Sequence, residues 1–149
     1  MALLQISEPD SNKLTGTEEL KAVIGIDLGT TNSLVGYVDG QDSTVKICLD
    51  DNGQALIKSS VTYRSGHIPR VGNHKVKEVE KGAFTVRSVK RLIGKSMADM
   101  ENSGRLDEVE VRELAGKEVL SVKTPVGLKT PVEISGEILK HMKLLAEKN

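Results

Sequence analysis

The sequence predicts an α/β fold, with a meander of strands in its first half and a helix at its end. Two observations support this prediction. Short apolar segments between residues 22 and 57 alternate with turn sequences rich in glycine, aspartate and asparagine. Near the carboxyl end, apolar residues recur at helical spacing instead. A chain of 149 residues is long enough for one domain, of one or two lobes.

Four strands are predicted in the first part of the chain. The first is nearly continuously apolar, which predicts a central strand buried on both faces, whereas the others alternate more. The turns between them contain residues that tolerate positive φ or cap a turn with a side chain. The strands are expected at residues 22–27, 34–38, 44–49 and 55–57, with turns at Gly29-Thr30-Thr31, Asp39-Gly40 and Asp51-Asn52-Gly53.

The middle of the chain is less regular. A hairpin is expected between residues 61–63 and 68–71, turned at Ser65-Gly66-His67. Residues 74–81 favour a helix, and residues 85–95 predict a short helical turn that stops at Gly94. No firm periodicity is present in residues 98–116, which are highly charged.

The end of the chain predicts a strand and then a helix. Residues 117–124 alternate enough for a strand, and Gly127 and Pro131 interrupt the pattern after it. The helix is expected to begin at Ser135 as its N-cap. Its apolar stripe, which is typical of a helix that faces a core, consists of Ile134, Ile138, Leu139, Met142 and Leu145.

Composition excludes several classes of protein. Lysine plus arginine equals aspartate plus glutamate at 21 each, and a net charge of zero argues against general binding to nucleic acid or to a membrane surface. No apolar stretch approaches the roughly 20 residues needed to span a bilayer. The single cysteine, Cys48, fits a reducing cytoplasm and is interpreted as a small buried strand residue. The three histidines, His67, His74 and His141, show no metal-ligand spacing.

Residues 25–33 have the pattern of a phosphate-binding turn. Asp27 ends an apolar strand, where a carboxylate is costly unless a partner such as a metal-bound water offsets the cost. Gly29 is followed directly by Thr30 and Thr31, whose amides and hydroxyls suit an anion. Lys90 lies in the most basic segment of the chain. The alternative is an ordinary hairpin, since neither the P-loop nor the dinucleotide-binding glycine pattern is present.

Three segments resemble one family in the same order. IGIDLGTTNS at residues 24–33 resembles the first phosphate loop of the DnaK-type heat-shock chaperones, which belong to the actin-like ATPase superfamily. SVKRLIG at residues 88–94 is similar to the second signature of that family, and ISGEILK at residues 134–140 to the start of one of its helices. The opening MALLQISEP resembles the leader of the HscA-type members that serve iron-sulfur cluster assembly.

The resemblance implies an actin-like ATPase (ribonuclease H-like) fold, a mixed sheet with flanking helices. Residues 22–149 would be the first lobe of a nucleotide-binding domain, incomplete before its second phosphate loop and without a substrate-binding domain. Residues 1–21 would be a flexible tail. Two departures from the family pattern, Lys58 for a proline and Gly136 for an alanine, do not concern the nucleotide.

The resemblance also implies roles for individual residues. Asp27 would hold Mg²⁺ through water, Thr30 and Thr31 would contact the phosphates of ATP or ADP, and Gly29 and Asn32 would line the same loop. Lys90 would reach the γ-phosphate and the attacking water, so that Lys90 and Asp27 are the expected catalytic residues. The implied partners are a J-domain co-chaperone and an iron-sulfur scaffold protein, with no nucleic acid and no membrane, in the cytoplasm.

Several alternatives remain open at this stage. A general DnaK-type protein-folding chaperone is one alternative, and a non-catalytic piece with a structural or partner-binding role is a second. A sugar kinase or an actin-like filament protein is disfavoured, because those families lack the Lys-Arg-Leu-Ile-Gly segment. With one phosphate loop, the chain is expected to bind ATP weakly or not at all. We also expect an exposed sheet edge and an uncovered apolar face on the last helix.

Overall fold

A computed structural model describes residues 23–40, 43–72, 82–102, 109–114 and 117–149. These residues form an α/β fold, as the sequence predicts. The tail expected at residues 1–21 and the helix expected at 74–81 lie outside the described residues. The strands are β1 Ile24–Leu28, β2 Asn32–Val38, β3 Val45–Ile47, β4 Ile57–Lys58, β5 Ser60–Tyr63, β6 Arg70–Val71, β7 Phe84–Arg87, β8 Val109–Leu114, β9 Lys117–Thr124 and β10 Gly127–Lys129, and the helices are α1 Met97–Asn102 and α2 Pro131–Lys148, with a 3₁₀ turn at Val89–Arg91.

The described strands form three antiparallel sheets. In the first sheet, β2 pairs with β1 along one edge and with β3 and β4 along the other. The second sheet has the order β6-β5-β7, and the third has the order β10-β9-β8. A mixed sheet, which the resemblance implies, is not found among these strands. Short turns join most of the neighbouring strands, and such connections allow only antiparallel pairing.

Strand β1 lies at an edge, and the prediction of a central strand buried on both faces is wrong for the described residues. Only β2 pairs with it there. Ile26 and Leu28 pack against the core, whereas Val23 and Ile24 are 72 % and 38 % exposed. A continuously apolar strand is buried on both faces only when other elements pack on both of them. The described residues cover only one face of β1.

Helix α2 begins four residues before the predicted N-cap. Thr130 is the N-cap: its hydroxyl accepts from the Glu133 amide at 3.1 Å, and the Glu133 carboxylate accepts from the Thr130 amide at 2.7 Å. This reciprocal pair is a capping box, and proline suits the first helical position because its fixed φ is already helical. Ser135 instead lies inside the helix, where its hydroxyl donates to the Pro131 carbonyl at 2.8 Å.

The apolar stripe of α2 is the centre of the core. Ile134, Ile138 and Met142 are fully buried, and Leu145 is nearly so. The helix contacts β1 and β2 of the first sheet, β5 and β6 of the second, β9 of the third, and the 3₁₀ turn. The expectation that this face would be uncovered is therefore wrong, because all three sheets pack on it. Leu139, also assigned to the stripe, is 40 % exposed, since it lies at the margin of the buried face.

The hairpin expected at residues 61–71 is confirmed by the pairing of β5 with β6, and the strand expected at 117–124 coincides with β9. The helical turn expected at residues 85–95 is only partly correct. Thr85 and Val86 belong to β7, which pairs with β5, because β-branched residues favour a strand when a partner is available. The 3₁₀ turn follows, and Gly94 ends the segment at φ 73°.

The burial predicted for Cys48 is confirmed, but the residue follows β3 and does not belong to a strand. Burial raises the pKa of its thiol. Among the described residues, no helix is long and apolar enough to cross a membrane.

Replacement of Thr130 by alanine should lower the free energy of unfolding by about 1 kcal/mol, because the α2 N-terminus loses its side-chain cap. Ser135→Ala is the matched control. Its hydroxyl bonds only within the helix, and alanine is the better helix former, so we expect a change below about 0.5 kcal/mol. Urea unfolding of both variants tests the cap. A larger loss in Ser135→Ala would show that the helix begins where the sequence alone suggested.

Replacement of Tyr63 by phenylalanine should leave stability unchanged or raise it by about 1 kcal/mol, since the deleted hydroxyl is buried without a hydrogen-bond partner among the described residues. Burial, with Glu137 and Glu133 nearby, raises the pKa of Tyr63 above its usual value. The unfolded chain therefore ionises first, and stability should fall as the pH rises above about 10. Tyr63→Phe should lessen that fall; alkaline sensitivity equal to that of the parent would contradict the assignment.

Candidate functional site

The turn between β1 and β2 is the centre of the candidate site. It contains Gly29, Thr30 and Thr31, and β2 begins at Asn32. A Cβ atom on Gly29 would lie 2.2 Å from the Asn32 carbonyl oxygen, a distance at which the backbone would have to shift. The glycine is therefore required by close approach of the backbone within the turn. Thr30 is half-buried and Thr31 is exposed, so the outer side of the turn is open to a ligand.

Asp27 lies two residues before the turn, on the exposed face of β1. It pairs in register with Leu34, and because side chains alternate along a strand it points away from the face on which Ile26 and Leu28 meet the core. The expectation that this carboxylate occupies a costly buried position is wrong, since Asp27 is exposed. Solvent offsets its charge, and the residue is free to hold the water shell of a cation.

Lys90 is brought to the turn from a distant part of the sequence. Its ammonium donates to the Leu28 carbonyl at 3.0 Å, across a separation of 62 residues. Val89 and Leu92, its neighbours in the 3₁₀ turn, are buried, and they fix the segment in the core while Lys90 projects outward. An ammonium has three donors, and this bond uses one of them. The structure thus places Lys90 directly beside the glycine turn.

The start of the 3₁₀ turn has an unusual backbone. Ser88 adopts a left-handed conformation with φ 55° and ψ 36°, which costs a non-glycine residue of order 1 kcal/mol. This residue turns the chain sharply from β7 into the segment that carries Lys90. Such strained residues are concentrated at functional sites, where the surrounding packing holds them.

Sequence reasoning missed the residues that support the turn from behind. The Thr31 carbonyl accepts from the Ser59 amide at 2.9 Å, and the hydroxyls of Ser33 and Ser59 are 2.8 Å apart in the interior. The two serines are 26 positions apart and have no shared motif. Their contact follows from the register of β2 with β4, in which Ser33 lies opposite Ile57, and sequence patterns do not specify that register.

The arrangement suits an anion with an accompanying hydrated cation. A half-buried and an exposed threonine, a turn too tight for a Cβ at Gly29 and the Lys90 ammonium occur together at this end of the sheet. Backbone approach of this kind is typical of phosphate sites, and a lysine supplies the compensating charge. No group of three or more metal-binding side chains occurs in the described part of the chain.

Comparison with known proteins identifies relatives that share one name. The chain is 39 % identical over 150 residues to a "Chaperone protein HscA homolog" of Polynucleobacter asymbioticus. It is 40 % identical over 148 residues to the protein of that name from Methylobacillus flagellatus, and 38 % identical to the one from Bordetella pertussis. Each alignment covers 99 % of this chain, but the chain spans only 23 % of the length of these relatives.

A family model extends this similarity to nearly every described residue. The model of the Hsp70 protein family matches residues 23–149, which include the glycine turn, the Lys90 segment and α2. The sugar kinase and actin-like filament alternatives are thereby set aside. Because the match covers most of its length, this chain belongs to the Hsp70 protein family.

Proposed function

We propose that the turn at residues 29–32, together with Lys90 and Asp27, binds the phosphates of ATP or ADP with Mg²⁺. In this proposal residues 22–149 contribute one lobe, with an actin-like ATPase fold, to a nucleotide-binding domain. The observation that carries the proposal is the hydrogen bond from the Lys90 ammonium to the Leu28 carbonyl. It joins a basic segment to a glycine turn from which it is remote in sequence, and an ordinary hairpin has no need of such a cation.

Each residue has a distinct role in the proposed site. Thr30 and Thr31 offer hydroxyls and amides to phosphate oxygens, and Gly29 and Asn32 shape the turn so that a phosphate can approach the backbone. Asp27 orients water molecules around Mg²⁺, and that ion neutralises phosphate charge when it is bound. Lys90 directs its remaining donors toward the terminal phosphate, where fixed positive charge favours hydrolysis by positioning and electrostatics.

The wider function we propose is that of an ATP-dependent chaperone in the maturation of iron-sulfur proteins. Family membership and the names of the relatives, each called a chaperone protein HscA homolog, support it. The proposed partners are a J-domain co-chaperone and an iron-sulfur scaffold protein, and the proposed location is the cytoplasm. A general folding chaperone is the second candidate, because the residues of the site are equally suited to it. A non-catalytic, partner-binding role is the third.

Mg²⁺-ATP added to the 149-residue chain should shift the amide resonances of residues 29–32 with a dissociation constant of about 1 mM, because one lysine and one turn contribute only a few charge-assisted hydrogen bonds. Lys90→Ala and Asp27→Asn should each weaken these shifts about tenfold. Lys95→Ala is the control, since that lysine is exposed in the same segment. Equal loss in Lys95→Ala would indicate non-specific attraction and contradict the site.

Replacement of Gly29 by alanine should abolish these shifts and lower the free energy of unfolding by about 1 to 3 kcal/mol, since the new Cβ would meet the Asn32 carbonyl at 2.2 Å. Gly25→Ala is the matched control in the same strand segment. No atom lies within 4 Å of a Cβ at that position, so stability should change by less than about 0.5 kcal/mol. Chemical denaturation and the ATP titration measure both effects. A tolerated Gly29→Ala would refute the close-approach argument.

A further inference from the structure

Ser33 and Ser59 form a hydroxyl pair in the interior immediately behind the glycine turn. Their oxygens are 2.8 Å apart, and the residues are 1 % and 3 % exposed. A buried hydroxyl is costly without a partner, so each of these serines satisfies the other. The bond joins the beginning of β2 to the residue between β4 and β5. The proposed mechanism above assigns no role to either side chain.

The pair is part of a closed path of contacts that passes through Lys90. The Ser59 amide donates to the Thr31 carbonyl at 2.9 Å, which ties Ser59 to the turn. The next residue, Ser60, pairs with Arg87 at the end of β7. Three residues further along the chain, the Lys90 ammonium returns to the turn at the Leu28 carbonyl. The position of Ser59 is therefore coupled to that of Lys90 through one strand pair and one short covalent segment.

The residues along this path have little freedom to move relative to one another. Ser60 is also held from its other side, because its carbonyl accepts from the Gly72 amide at 3.0 Å. Gly72 has φ 95°, and a Cβ there would lie 2.7 Å from a methyl carbon of Ile57. Between Arg87 and Lys90, the left-handed Ser88 fixes the direction of the chain. A displacement of Ser59 must therefore move either the turn or the segment that carries Lys90.

We propose that Ser59, through its hydroxyl bond to Ser33, is a positioning residue that sets the Lys90 ammonium against the turn at residues 29–32. This proposal rests on the function proposed above, because it takes the ligand of the site to be a nucleotide with Mg²⁺. Ser59 does not touch that ligand. It acts by fixing the distance between the β2 end of the turn and the strand that leads to Lys90.

The first test follows the Lys90 ammonium itself, by nuclear magnetic resonance of its nitrogen and attached protons without nucleotide. Ser59→Ala should speed exchange of these protons with water about fivefold, as expected for a weakened hydrogen bond to Leu28. Ser121→Ala is the matched control, because Ser121 is fully buried in β9 and its hydroxyl donates to the Val119 carbonyl at 3.3 Å. Unchanged Lys90 exchange in a folded Ser59→Ala protein would overturn the proposal.

The variant Ser33→Ala/Ser59→Ala separates positioning from stability. It deletes both hydroxyls and leaves neither unsatisfied, so its melting temperature should approach that of Ser121→Ala. We expect fast Lys90 exchange to persist in this double variant, because the hydroxyl bond between Ser33 and Ser59 is still absent, although the Ser59 amide still donates to the Thr31 carbonyl. Recovery of slow exchange together with stability would mean that the pair serves stability alone, which would overturn the positioning role. This variant also decides the matter if Ser59→Ala does not fold.

Titration with Mg²⁺-ADP, followed at the resonances of residues 29–32, gives the functional consequence. We expect the double serine variant to bind about fivefold more weakly than the parent, and Lys90→Ala to add little further loss in that background. Fully additive losses would overturn coupling through Lys90. If the parent shows no Mg²⁺-ADP binding, the nucleotide site proposed above fails for this chain on its own, and the exchange of the Lys90 ammonium still decides the positioning of this lysine.

Discussion

Burial of one face of α2 is the constraint on which the rest of the described structure depends. The first sheet, the second sheet and the third each contribute a strand to the contact with this helix. The four buried residues of its stripe are worth about 1.5 to 3 kcal/mol each, so they supply a large part of a typical domain stability. Three sheets that share no strand pairing in the described part of the chain are thus joined through one helix. The core residues Val35, Val61 and Val122, one from each sheet, belong to the same buried cluster as the helix residues.

The candidate site depends on the same packing indirectly, through the two segments that carry its residues. Ile26, Leu28 and Val35 bind the first sheet to the core, which leaves the turn after β1 at the surface. Val89 and Leu92 bind the 3₁₀ turn to the same core, so that Lys90 and the turn are presented side by side. Burial of apolar side chains fixes the first sheet and the 3₁₀ turn, and the polar groups of both then face outward. The residues of the proposed phosphate site are in this way separate from the interactions that provide stability.

The sequence predicted local features more successfully than relations between distant ones. Gly29, Thr30 and Thr31 were found because a turn requires specific residue types at specific spacings, and the stripe of α2 because helical periodicity is strict. The capping box was missed although Thr130 and Glu133 have the expected spacing, since Pro131 was interpreted as an interruption and not as a first helical residue. The Ser33 and Ser59 pair and the edge position of β1 depend on strand register and on what covers a sheet. Neither property is encoded in a short segment.

Complete burial of Cys48 makes the single thiol of this chain a natural reporter of its motions. A thiol reagent can modify this sulfur only in molecules in which the region after β3 has opened, because the side chain is inaccessible in the closed state. With one cysteine in the sequence, the labelling rate refers to a single position and needs no deconvolution. When closing is faster than modification, the ratio of that rate to the rate for a fully exposed thiol gives the free energy of the opening. Comparison with the global unfolding free energy would then show whether the first sheet separates from α2 before the whole domain unfolds.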